Sequence, residues 1–174
     1  MNFNTFFKLS YGLYIVSSTD GTNFTGHISN TVFQTTSEPP TLAICVNKSN
    51  LTSEYIDKSG VLSISIINQD ADFKFIGHFG FKSGKDINKF ENIDFTVGKT
   101  NVPIVIENVI GYLECKVVNK MDLGTHKMFI AEIIEAEMVA EGEPLTYEYY
   151  RKVKKGLSPK TAPTYIDKSK LKTN

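Results

Sequence analysis

Apolar and polar residues alternate with a period of two through most of this chain. Over residues 24–32, Phe24, Gly26, Ile28 and Val32 interleave with Thr25, His27, Ser29 and Thr31. That pattern predicts one strand with a buried face and a polar face. Pro39-Pro40 ends it, since proline donates nothing to a ladder. Residues 41–46 (TLAICV) are apolar on both faces and predict a central strand. Residues 61–67 alternate again, with Leu62, Ile64 and Ile66 opposite Ser63 and Ser65. Residues 11–18 predict the first strand, closed by the Asp20-Gly21 turn. In the second half, residues 111–118 and 128–139 predict an antiparallel pair. Met121-Asp122-Leu123-Gly124-Thr125 joins them, with Gly124 free to take positive φ.

Helical signals are few and short. Asn50 is placed to cap a helix over 51–58, stopped by Gly60 just past its end. Residues 73–79 and 147–155 predict two more, and residues 86–90 a single helical turn. From Gly156 the chain is rich in Ser, Pro, Thr and Lys, which predicts a tail running extended over the surface or into a partner. The organisation expected is a barrel unit over 1–155 and a tail over 156–174. Neither βαβ alternation nor a Gly-rich phosphate turn is present, so a dinucleotide Rossmann fold is excluded. A mainly β, antiparallel barrel with short helices handles its strand edges best.

Length and charge narrow the function classes. The 174 residues fit one domain. Nineteen basic and nineteen acidic residues cancel, which argues against nucleic acid or an anionic membrane as the main partner. Cys45 and Cys115 lie far apart inside apolar runs, so neither a zinc site nor a redox pair is supported. His27, His78 and His126 have no metal-ligand spacing, and no metal is expected. No apolar stretch approaches the ~20 residues needed to span a bilayer. The amino-terminal segment lacks the core of a signal peptide. A soluble protein of a reducing cytoplasm is expected.

Four segments could carry chemistry. Asn47-Lys48-Ser49-Asn50-Leu51-Thr52 lies at a strand exit and helix start, where backbone N–H groups, the Lys48 charge and the Ser49 and Thr52 hydroxyls suit a phosphate. An ordinary capped helix reads the same way. Gly80 to Asp86, with Lys89 and Phe90, offers close backbone approach and cations, or else a solvated loop. Asn30-Thr31-Val32-Phe33-Gln34 suits the wall and edge of a heteroaromatic ring, or is a plain strand. His126, with Glu132 on the same strand face, could meet a ring, a phosphate or a reacting group, or merely bond to backbone.

Taken in order, these segments resemble the flavin reductase-like proteins, and most closely the flavoprotein module of high-molecular-weight rubredoxins and flavoredoxins. The resemblance rests on Asn30 to Gln34 with Pro39-Pro40, Ala43 to Thr52, Phe79 to Asp86 with Lys89-Phe90, and Leu113-Glu114-Cys115. It continues through Asp122 to His126, Phe129 to Glu132, Tyr149-Tyr150, and Gly156 to Tyr165. It implies an FMN-binding split β-barrel of Greek-key type, homodimeric, holding FMN without a covalent bond. By that resemblance Asn30, Thr31, Val32 and Phe33 would line the flavin ring. Cys45, Val46, Asn47, Lys48, Ser49 and Thr52 would hold its edge, ribityl chain and phosphate. Phe81 and Lys89 would close over it, and His126 would stand where nicotinamide approaches. The implied activity is an NAD(P)H-dependent FMN reductase. The alternatives are an FMN electron carrier between a separate NAD(P)H oxidoreductase and rubredoxin or a flavodiiron protein, and a binding protein for flavin or haem. The rubredoxin-type CxxC ligands of the fused relatives are absent from this sequence.

Overall fold

The computed structural model describes residues 1–171, so the last three residues of the expected tail lie outside the described residues. In chain order the elements are β1 (Tyr14–Thr19), β2 (Phe24–Ser29), β3 (Val32–Ser37), β4 (Pro40–Asn47), α1 (Leu51–Ser59) and β5 (Val61–Ile67). There follow α2 (Phe73–Gly80), β6 (Phe95–Val97), β7 (Pro103–Val105), β8 (Val109–Asp122), β9 (His126–Met138) and α3 (Tyr147–Lys152). Seven strands form one sheet in the order β2-β1-β5-β8-β9-β4-β3, and β6 and β7 form a separate hairpin. Every pairing is antiparallel. The sheet's two edge strands, β2 and β3, are consecutive in sequence yet are not paired to each other. That is the split of a split barrel.

Both faces of this sheet are covered. Val16, Leu42, Ile44, Leu62, Ile64, Cys115 and Phe129, from five strands, pack with Ile56 of α1 into one buried cluster, the barrel interior. On the other face Ile15 and Ile67 pack against Phe75, Ile76 and Phe79 of α2, Val105 of β7, and Tyr147 and Tyr150 of α3. The polar strand face expected from the alternation is itself buried by this double coverage. Thr25, His27 and Ser29 of β2 are buried, and so are Ser17, Ser18, Ser63 and Ser65. Alternation is real here, but it separates two buried faces rather than inside from outside.

The strand expected over 24–32 breaks at Asn30-Thr31. There Thr31 turns the chain, its hydroxyl donating to the Cys45 carbonyl (3.1 Å) while its own carbonyl accepts from Cys45 N–H (3.2 Å). The β8–β9 hairpin is longer than the alternation suggests, and Gly124 takes φ +80° in its loop. Helix α1 starts after Asn50, but the Asn50 side chain makes no capping bond. Asn47 instead accepts from Ser49 N–H (3.0 Å) and the Ser49 hydroxyl (2.8 Å). Gly60 stops α1 at φ 70°.

Residues 86–90 form turns rather than a helical turn, because their polar groups serve α2. The Lys89 ammonium donates to the carbonyls of His78 (2.5 Å), Phe79 (3.3 Å) and Lys82. The His78 ring Nε2 donates back to the Lys89 carbonyl (2.9 Å). The tail runs without helix or strand over the surface through residue 167 and is held to α3, with Tyr150 OH donating to the Leu157 carbonyl (3.1 Å) and the Tyr147 hydroxyl bonded to Ser158.

Candidate functional site

Where β2 and β4 diverge, a cavity of about 280 Å³ opens. Its walls come from the end of β2 and the turn after it, the end of β4 with the start of α1, the end of α2 with residues 81–83, α3, and the tail from Leu157 to Pro163. No Asp or Glu is among its lining residues. The ionisable side chains there are His27, Cys45, Lys82, Tyr147 and Tyr150. An electrically neutral or basic, half-apolar cleft beside a helix N-terminus suits a flat ring carrying an anionic group.

The fold brings part of the expected set together. Asn30, Cys45, Asn47, Ser49 and Phe81 line the cavity. Thr52 is fully buried in the first turn of α1, and its hydroxyl has no partner. His126 stands at the rim, paired in register with Asn47 across β9 and β4. Its Nε2 donates to the Thr161 carbonyl (3.2 Å), and Thr125 donates to its Nδ1 (2.9 Å). Asn47 donates to the same Thr161 carbonyl (3.3 Å), so both residues hold the tail.

Other members point elsewhere. Val46 is buried in the barrel interior, and Val32 packs against the same cluster. Phe33 is 55% exposed on the edge strand β3. The Thr31 side chain serves the turn, as above. Lys48 is ion-paired with Asp122 in the β8–β9 hairpin. Lys89 is 1% exposed with its ammonium on three carbonyls. Neighbours on β4 point to opposite faces, so Cys45 and Asn47 reach the cavity while Val46 lies in the barrel interior.

Sequence reasoning missed His27, Ser29, Tyr147, Tyr150 and the tail as walls. The available signal for the tail was Leu157 to Tyr165 itself, a Pro- and Thr-rich stretch too specific for a spacer. Asn30 anchors that stretch by donating to the Thr164 hydroxyl (2.6 Å). His27 carried no signal beyond alternation.

Burial sets the electrostatics. It lowers the His27 pKa to about 3, with Lys89 adding to the effect, so the imidazole is uncharged. Lys89 is pulled down to about 8 by burial and then by Lys82. Burial raises the Cys45 thiol, which keeps it protonated at neutral pH. His27 Nδ1 and the Ser29 and Thr52 hydroxyls are buried without hydrogen-bond partners. Unmet buried donors normally cost about 1–3 kcal/mol each, and such groups beside a cavity fit a polar ligand.

Two curated relatives resemble the chain over nearly its full length. High molecular weight rubredoxin from Moorella thermoacetica is 42% identical over 166 residues, covering 95% of this chain and 72% of that protein. Ferric-chelate reductase (NAD(P)H) from Archaeoglobus fulgidus is 41% identical over 167 residues, covering 96% and 99%. Among solved structures, flavoredoxin from Methanosarcina acetivorans superposes with a TM-score of 0.69 at 24% identity, over 78% of this chain and 74% of that one. Residues 6–158 match the flavin reductase like domain, and the chain belongs to that family.

Proposed function

We propose that this protein is an FMN-binding flavin reductase that takes electrons from NADH or NADPH. The observation that carries the reading is the cavity itself: no carboxylate in its lining, the N-terminus of α1 at one end, and buried donors with no internal partner. The orphaned groups fit an anionic, ring-bearing cofactor. Bound there, the flavin would supply the hydride-accepting chemistry.

The protein's own residues hold, orient and exclude water. Ser49 and Thr52, with the first N–H groups of α1, would grip the phosphate. Asn30, Cys45 and Asn47 line the part suited to a ring edge. Cys45, protonated, would offer a neutral surface. Tyr147, Tyr150 and residues 157–163 wall the cavity from solvent, which strengthens polar contacts inside it. His126, at the rim, is the side chain we assign to nicotinamide approach. On this reading residues 1–155 are the barrel, and the segment after them completes the site.

A relative named as a rubredoxin favours a second reading, an FMN carrier reduced by another oxidoreductase and feeding rubredoxin or a flavodiiron protein. A homodimer fits the edge strand β3, exposed along nearly its whole length, and exposed Val118, Met121 and Leu123 on the long hairpin. Among the described residues no helix is long and apolar enough to cross a membrane, and a cytoplasmic setting suits the free thiols.

Anaerobic addition of NADH or NADPH to the FMN-loaded protein tests the reading. Prompt loss of the flavin's visible absorbance is expected. Bleaching only after a second reductase is added would replace the enzyme with the carrier. A protein that binds no FMN would end both.

A further inference from the structure

β2 contributes two buried polar side chains to the cavity, each with an atom that has no hydrogen-bond partner. His27 is 9% exposed and Ser29 4% exposed, and both line the cavity. His27 Nδ1 and Ser29 Oγ have no partner. Ser49 and Asn50, at the start of α1, line the same cavity, as do Lys82 and Ser83. Thr52, outside the lining, adds a third unpartnered group, a second hydroxyl, in the first turn of that helix. Donors from three separate elements are therefore gathered around a space that holds no carboxylate.

We infer that His27 recognises the ligand's phosphate, with Ser29 beside it, as a donor that becomes charged only when the anion arrives. The inference rests on the flavin reading above and goes beyond it, because it gives the barrel strand β2 a role in choosing a phosphorylated flavin. Without an anion, burial and then the Lys89 cation disfavour an imidazolium and outweigh the Val16 backbone, which favours one, so the ring stays neutral. A phosphate beside it reverses both influences. Ligand binding then draws in a proton from solvent, and FMN is favoured over riboflavin, which has the same ring and no phosphate.

The other ionisable groups on the surrounding elements do not substitute for the phosphate. On β1, Tyr14 is held neutral by burial. On α1, Glu54 is half exposed and ion-paired with Lys85 (2.5 Å), and Asp57 is taken by Lys120 and Lys127. On α2, His78 is bonded to the Lys89 carbonyl. The 81–90 segment brings Lys82 and Lys89, both basic, and its one carboxylate, Asp86, is exposed. β4 brings the protonated Cys45, and α3 brings Tyr147 and Tyr150.

The test is calorimetric titration of FMN and of riboflavin into the wild-type protein, His27→Gln and His27→Ala, in buffers of different ionisation enthalpy at pH 7. Wild type should take up a proton with FMN and none with riboflavin. His27→Gln, which can donate but cannot charge, should lose that uptake and weaken FMN about tenfold while riboflavin binding stays unchanged. His27→Ala should weaken FMN at least as much; if it does not fold, His27→Gln alone carries the test. Equal losses for FMN and riboflavin would place His27 against the ring and overturn the inference. Unchanged uptake in His27→Gln would overturn it too. If wild type binds neither flavin, the flavin reading itself fails, which is a different result.

Discussion

Two parts of this molecule bury polar side chains, and they treat them in opposite ways. Beneath the β6–β7 hairpin Ser63, Ser65 and Glu114 are matched. Ser63 and Ser65 donate to the carbonyls of Pro103 (2.5 Å) and Val105 (2.9 Å). Glu114 is 1% exposed and accepts from Lys99 N–H (3.0 Å), Thr100 N–H (2.6 Å) and the Thr100 hydroxyl (2.5 Å). Around β2 and α1, by contrast, Ser17, Thr25, His27, Ser29 and Thr52 carry buried atoms with no partner. Matched buried groups fix one structure to another. Unmatched ones carry a standing cost in stability, and of these five His27 and Ser29 line the cavity.

Substituting the matched carboxylate should give the largest effect. Glu114→Ala leaves two N–H groups and a hydroxyl unpaired under the hairpin, so we expect a loss of about 3 kcal/mol in urea unfolding. FMN affinity should stay unchanged, because Glu114 lies outside the cavity. A comparable loss of flavin affinity would break the distinction between the two regions.

Acid should expose the unmatched side. His27 has a folded pKa near 3, far below its ordinary value of 6.5. Below pH 6.5 the unfolded chain takes up a proton that the folded chain refuses, so stability falls as pH falls. The slope approaches roughly 1.4 kcal/mol per pH unit between about pH 5.5 and pH 4, and vanishes below the folded pKa. Chemical denaturation of the flavin-free protein should show this component in wild type and lack it in His27→Gln. Identical acid slopes in the two proteins would refute a buried neutral imidazole.

The smallest effect sharpens the comparison most. Ser29→Ala removes an orphaned hydroxyl, so the flavin-free protein should gain up to about 1 kcal/mol. The same change should weaken FMN severalfold. Thermal melting and flavin titration on one preparation check both. A loss of stability would mean that Ser29 has a partner in the fold, and β2 would then resemble the hairpin side.

Much of the architecture was legible without coordinates. The strand alternation, the Gly60 stop, the Asp122–Gly124 turn and the ordered motif set all lead to an antiparallel split barrel of this family, because each depends on neighbours a few residues apart. Four of the expected binding residues outside the 81–90 segment, namely Asn30, Cys45, Asn47 and Ser49, do reach one cavity. Lys89 was a reasonable anion ligand by composition, yet it closes the end of α2 because the His78, Phe79 and Lys82 carbonyls needed a buried donor. The tail was expected over the surface or in a partner, and its anchors on this chain, Asn30, Asn47, His126, Tyr147 and Tyr150, were not legible because they are scattered along more than a hundred residues.

By itself, then, the amino-acid order determined which segments become strands, where they turn and which family they compose. Only the tertiary structure decided which strand residues line the cavity. Period two says that two faces differ, and nothing in it says what covers either face. In a barrel wrapped outside by α2, α3 and β6–β7, both faces leave water, and the end of β2 becomes a cavity wall.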